Sequence, residues 1–166
     1  NYHKNIKKTY KTILNVGRFE KQKNQIMLLK SFKNIQKDIN VKLLLVGYGS
    51  EKKNLINFVI KNNLRKKVIF AKEINNVSKY YKRADLFVLT SIYEGFGNVL
   101  VEAGMFKIPI ISTDCKSGPR EILKNGKYGD LVKINDVKNL NKLIIKNLKR
   151  PNYKQVSLMF KSLGRF

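Results

Sequence analysis

"VKLLLVGYGSEKKNLINFVIKNN", residues 41 to 63, decides the fold. Its opening run is apolar apart from Lys42 and does not alternate, which predicts a strand buried on both faces. Gly47 and Gly49 mark a turn. The stretch beyond them reads as a helix, with Ser50 as its N-cap. A doubly buried strand followed by a helix is the repeating unit of a parallel sheet.

Outward from this unit, the same order recurs. "KTILNVG" precedes a helix in "NQIMLLKSFKNIQK", where Ile26, Leu29, Phe32 and Ile35 keep helical spacing. "KVIF" leads to a short helix in "NNVSKYYKRA", in which Tyr80 and Tyr81 are expected to pack against the sheet. "DLFVLT" leads through a glycine loop to the helix "NVLVEAGMF". "IPIIST" leads to a short helix "PREILKN", and "GDLVKI" to the helix "VKNLNKLIIKNLK". The expected architecture is α/β, a doubly wound parallel sheet over residues 11–150. Residues 1–10 read as a linker or fragment edge. Pro151 is expected to break off a tail, 151–166, that is partly helical.

The chain has 166 residues, room for one well-filled core. No apolar run is long enough to span a bilayer, and no signal-peptide pattern opens the sequence. One cysteine, Cys115, excludes an internal disulfide, and His3 is the sole histidine. The formal net charge is +24. Such a charge suits nucleic acid, anionic lipid or phosphorylated metabolites. Most of it is lysine scattered among asparagine and isoleucine, the pattern an AT-rich coding bias leaves, so a well-placed arginine carries more information than a lysine.

In doubly wound sheets, ligands sit at the carboxyl ends of the strands. The loops that matter are therefore 17–24, 47–50, 71–76, 90–98 and 114–118. "EGFGNVLVE" places Glu94 and Glu102 around a glycine loop that opens a helix. Side chains lean toward a helix's N-terminus, so Glu102, one turn in, lies near the helix mouth. The free N–H groups of Phe96, Gly97, Asn98 and Val99 face that mouth and favour an anion. Gly95 and Gly97 clear side chains from the approach. Carboxylates flanking a phosphate are better used on neutral hydroxyls, and a nucleotide sugar offers both groups. Loop 17–24 adds Arg18 and Lys23, next to Gly17, as cations for a diphosphate.

Taken together, "NVGRFEKQKNQIMLLKSF", "LLLVGYGSEKKNL", "YYKRADLFVLTSIYEGFGNVLVEA" and "IPIISTDCKSGPREILKNGKYG" resemble the C-terminal domain of family 4 retaining glycosyltransferases of the GT-B fold. Their two-glutamate motif is matched by Glu94 and Glu102. The resemblance implies a Rossmann-like, donor-binding half of a GT-B enzyme. In that role Arg18, Lys23 and Glu94 are catalytic. Gly17, Gly95, Phe96, Gly97, Asn98, Val99 and Glu102 bind the donor, and main chain near Lys72 and Glu73 reads the base. It further implies a UDP-sugar donor as substrate, no cofactor, and a glycan or lipid-linked acceptor in surface polysaccharide synthesis. It also implies a separate N-terminal Rossmann-like domain and a cytoplasmic location, with peripheral contact to the inner membrane face. Many relatives have glycine where this chain has Asn24.

The sequence has no Asp-x-Asp pair, in keeping with metal-independent transfer. Without an acceptor domain, the chain alone is expected to bind donor weakly and transfer little. Rival readings fit less well. Gly47-x-Gly49 lacks the third glycine of a dinucleotide fingerprint, Lys52 standing in its place. A glycosidase needs one carboxyl kept protonated by burial. A sugar-nucleotide epimerase shares the fold but fits loop 17–24 less well, and no nucleic-acid recognition motif is present. Phe96 is expected to be a loop anchor whose backbone matters, not a stacking platform.

Overall fold

The computed structural model describes residues 9–72, 76–115 and 117–164. Six strands form one all-parallel sheet: β1 (Lys11–Val16), β2 (Val41–Val46), β3 (Val68–Ala71), β4 (Leu86–Leu89), β5 (Ile110–Thr113) and β6 (Asp130–Val132). Their order is β3-β2-β1-β4-β5-β6. This is the doubly wound Rossmann arrangement, whose direction reverses between β1 and β4.

Among the described residues, seven α-helices flank the sheet: α1 (Gln25–Ile35), α2 (Lys52–Lys61), α3 (Ser78–Tyr81), α4 (Asn98–Met105), α5 (Pro119–Ile122), α6 (Val137–Lys149) and α7 (Tyr153–Leu163). The unalternating strands divide their side chains between two cores. Ile13, Leu43, Leu45 and Val88 meet Phe32 of α1, Val59 of α2 and Ile144 of α6. Leu14, Val46, Phe87 and Leu89 meet Tyr81 of α3, Leu100 of α4 and Met159 of α7. Each fully buried Leu, Ile or Phe is worth about 1.5–3 kcal/mol, which explains why so lysine-rich a sequence holds one fold.

Local differences from the sequence reading have physical causes. Ser50 does not cap α2: the N-cap is Glu51, already helical, and the Ser50 hydroxyl donates to Glu20 Oε2 at 2.8 Å. A 3-10 turn at Lys21–Lys23 precedes α1, and Asn24 between them is left-handed at φ 49°. Glycine adopts that conformation freely and asparagine with little strain. Asn24 uses its side chain to donate to Asn135 Oδ1 rather than to cap α1.

The glycines of loop 47–49 serve close backbone approach. A Cβ on Gly47 would lie 2.0 Å from the Gly17 carbonyl oxygen, and one on Gly49 2.4 Å from that of Phe19. Phe19 N–H donates to Tyr48 O at 2.7 Å, clamping the two loops together. The Gly47-x-Gly49 pair therefore has a packing explanation.

Candidate donor site at the sheet's carboxyl edge

The β1–β4 ladder pairs Ile13 with Leu86 and Leu14 with Phe87, whereas β1–β2 pairing continues to Val16 and Val46. Beyond Leu14, the Asn15 side chain spans the widening gap, donating from Nδ2 to Val88 O at 2.8 Å. The loops after β1 and β4 thus part at the reversal point, where open α/β sheets place their ligands.

Across that gap Lys23 and Glu94 meet. Lys23 Nζ donates to Glu94 Oε1 at 2.7 Å and Oε2 at 2.8 Å. The two side chains are 17% and 6% exposed, so the pair is shielded from water. Ser91 Oγ donates to Oε1 at 2.5 Å, which leaves Oε2 the less occupied oxygen. The Glu94 main chain is fixed as well, its carbonyl accepting from Ser117 Oγ at 2.5 Å. Thr113 Oγ1 donates to Ser91 O, tying β5 to the same loop. The carboxylate is therefore aimed by three elements.

Gly97, at φ 95°, turns the chain into α4. Its conformation favours glycine, and it leaves the first amides of the helix pointing outward. Among the described residues, the N–H groups of Phe96, Gly97, Asn98 and Val99 have no backbone acceptor. The structure thus brings Lys23, Glu94 and the Gly95–Val99 loop to one place. Gly17 lies next to Lys23, its position closed over by the Lys23 side-chain carbons.

Glu102 sits one turn into α4 and is held differently. Its Oε2 accepts from the Tyr81 hydroxyl at 2.8 Å. Tyr81 is 1% exposed and stacks on Phe106 with ring centroids 5.3 Å apart. Burial, and then the hydrogen bond to Glu102, raises the Tyr81 hydroxyl far above the ordinary tyrosine range. Tyr81 was expected only to pack against the sheet. It also positions a carboxylate, a role its sequence neighbours do not signal.

The sign of this shift yields a prediction. The folded chain keeps the Tyr81 proton while the unfolded chain releases it near pH 10, so the stabilisation is complete below about pH 10 and is lost as pH rises beyond it. Tyr81→Phe should cost about 1 kcal/mol at neutral pH, the net worth of one hydrogen bond. Urea unfolding at neutral and alkaline pH should show the wild type losing stability more steeply than the variant.

The other candidates lie as follows. Arg18 is exposed and makes no side-chain hydrogen bond or ion pair among the described residues, while its carbonyl accepts from Gln25 Nε2 at 2.9 Å. Lys72 is exposed just past β3, and Glu73 lies outside the described residues. Phe96 is 56% exposed, so its ring is not what holds the loop, whereas its backbone is packed against Gly118. The anchor is Gly118, where a Cβ would lie 2.2 Å from the Phe96 carbonyl oxygen, together with Ser117. Arg120 pairs with Asp114. Cys115 is buried, and that burial, with Glu94 adding to it, raises its thiol above the usual range. Ser91 and Ser117, and the carboxylate-positioning role of Tyr81, were absent from the sequence reading because each acts through a contact made only in the folded chain.

No helix among the described residues is long and apolar enough to cross a membrane.

Comparison with known proteins fits this geometry. The chain matches the family described as "Glycosyl transferases group 1" over residues 3–157. It is 38% identical to an uncharacterized glycosyltransferase of Methanocaldococcus jannaschii over 79% of the chain and 36% of the relative. It is 37% identical to the amylovoran biosynthesis glycosyltransferase AmsD of Erwinia amylovora, over 87% and 42%. It is 35% identical to a 4-alpha-N-acetylgalactosaminyltransferase of Campylobacter jejuni that acts on an undecaprenol diphosphate-linked sugar, over 76% and 34%. The chain thus spans between about a third and two-fifths of these proteins.

Among solved structures, TarM of S. aureus in complex with UDP superposes with a TM-score of 0.87 at 24% identity, over 95% of this chain and 33% of that one. The lipopolysaccharide outer core galactosyltransferase WaaB superposes at 0.82 with 26% identity, over 97% and 46%. The fold is the Rossmann-like domain that forms the C-terminal half of a GT-B glycosyltransferase. Since the family match spans nearly the whole chain, from β1 through α6 and with it every residue of the site, the chain belongs to the group 1 glycosyltransferases.

Proposed function

We propose that this domain binds the nucleotide-sugar donor of a retaining, family 4 glycosyltransferase. The observation that carries the reading is the Lys23–Glu94 pair at the β1/β4 reversal, beside the outward amides that open α4. Arg18, Lys23 and those amides face the diphosphate, Glu94 Oε2 accepts from a sugar hydroxyl, and Glu102 accepts from the ribose diol. Main chain after β3, near Lys72 and Glu73, contacts the base. The proposed donor is a UDP-sugar, UDP being the nucleotide held by two proteins of this fold, TarM and HepE of Anabaena. The proposed acceptor is a glycan or lipid-linked sugar, the acceptor class of the Campylobacter relative. A second Rossmann-like domain presents it, and the reaction takes place in the cytoplasm.

The chemistry follows from the charges. As the sugar–phosphate bond breaks, negative charge grows on the departing diphosphate and positive charge on the sugar ring. Fixed cations and amides aimed at the diphosphate stabilise that separation, and they do so more strongly in a shielded site than in water. Lys23 is one such group, shielded by the loops it joins. As the bond from the anomeric carbon to the diphosphate breaks, the acceptor oxygen bonds to that carbon from the same face, and the leaving phosphate takes the acceptor's proton. No metal is assigned a step.

Calorimetric titration with UDP, a panel of UDP-sugars and NAD tests the reading. UDP binding, weakened at least tenfold by Lys23→Ala, is the expected result. NAD binding without a response to UDP contradicts it. For the full-length protein, proton NMR of the product should show the anomeric configuration of the donor.

A further inference from the structure

Besides the Lys23–Glu94 pair, contacts to the main chain join the loops that follow β1 and β4. The Thr90 hydroxyl, just past β4, donates to the Lys23 carbonyl at 3.1 Å. Ile92 N–H donates to the Gln22 carbonyl at 2.8 Å. Gln22 returns the contact, its Nε2 donating to the Tyr93 carbonyl at 2.8 Å. Residues 22–23 and 90–93 are thereby stitched together across the gap that the ion pair spans.

Thr90 and Ser91 are both fully buried, directly after a strand of four apolar residues. Hydroxyls so placed have no water and must find partners within the protein. Ser91 finds the carboxylate of Glu94, and Thr90 finds the main chain of Lys23. Adjacent residues at one strand end thus hold the two members of the same pair, one by its charged group and one by its backbone. A lysine side chain is a flexible stem, so the place of its ammonium group depends on where the backbone starts it. A threonine that only satisfied its own hydroxyl would need any nearby carbonyl. This one uses the carbonyl of the residue whose charge crosses the gap.

We infer that Thr90 and Gln22 are positioning residues for the Lys23 ammonium group. Their effect on sugar transfer rests on the reading of Lys23 as a cation facing the donor diphosphate. Their effect on the Lys23–Glu94 pair does not, which separates the two claims.

The test is the double-mutant cycle of Lys23→Met and Glu94→Gln, read by denaturant unfolding and repeated in variant backgrounds. The cycle isolates the coupling within the pair from overall stability. Thr90→Val keeps the side chain's shape and removes its donor, and the coupling should fall below about half of its wild-type value. Thr90→Ser keeps the donor and should retain most of it. Gln22→Met, at a half-buried position, should lower it as well, and decides the matter if Thr90→Val does not fold. Ser31→Ala removes another fully buried hydroxyl, one that joins α1 to Asn141 of α6, and should cost stability while leaving the coupling unchanged. In the full-length protein, Thr90→Val should lower kcat about tenfold and change KM less than about threefold, because a displaced cation is missed most as charge grows on the leaving group. Thr90→Ser should restore kcat. Unchanged coupling in both the Thr90→Val and Gln22→Met backgrounds overturns the proposal, as does an equal fall with Ser31→Ala. Coupling that falls as expected in a chain that does not respond to UDP supports the positioning role and contradicts the donor reading alone.

Discussion

Lys23→Ala should lower sugar transfer by the full-length protein about 10²–10³-fold, the usual loss when one group facing developing charge is removed. The same change should destabilise the domain, because Glu94 remains 7% exposed with Ser91 as its remaining side-chain donor. Breaking a buried pair from one side costs about 3–5 kcal/mol, and the partial exposure of Lys23 puts this case at the lower end. The two losses are separable. Lys23→Met with Glu94→Gln removes both charges and should recover much of the stability without restoring transfer. Neighbouring substitutions of this kind are not additive, and the double-mutant cycle measures the coupling. Denaturant unfolding of Lys23→Met, Glu94→Gln and the double variant, with transfer rates measured in parallel, reads both effects. If the double variant recovered transfer along with stability, Lys23 would be a structural residue only.

Gly118→Ala is the second large effect. A Cβ at this position would lie 2.2 Å from the Phe96 carbonyl oxygen and 3.2 Å from that of Gly95, and the residue has φ 81°. Both obstacles are backbone, so no side-chain rotation relieves them. A non-glycine residue in a sparsely populated conformation costs about 1–3 kcal/mol, and the contact with Phe96 adds to this, giving about 2–4 kcal/mol in all. The consequence reaches the site directly, because the loop pushed aside is the one whose amides open α4. Donor affinity should fall in the fraction that remains folded. By contrast, alanine at Gly95, where a Cβ would meet nothing within 4 Å, should leave stability nearly unchanged. Thermal unfolding of the two variants gives the comparison.

The contrast between those two glycines shows what a sequence exposes and what it conceals. The strands were legible because parallel strands buried on both faces lose alternation, and the order of units followed from it. Glu94 and Glu102 stood out because a carboxylate beside a glycine turn lacks an apolar reason to be there. The supports of those carboxylates did not stand out. Ser91 and Ser117 are ordinary polar residues until β4 and β5 are side by side. Tyr81 looks like a packing residue until its hydroxyl is seen on Glu102. Asn24, where the resemblance led to an expectation of glycine, fits because the turn needs a left-handed residue, which asparagine adopts with little strain. Ser50 misled because a side-chain acceptor on another loop, Glu20, outcompeted the helix end for its hydroxyl.

The most direct measurement is amide chemical-shift mapping of the isotopically labelled chain during titration with UDP. The account predicts saturable shifts concentrated at Gly95 to Val99, at residues 17–24 and around Glu102, where the loops after β1 and β4 part. Shifts confined to other edges of the sheet, or none at saturating UDP, would contradict it.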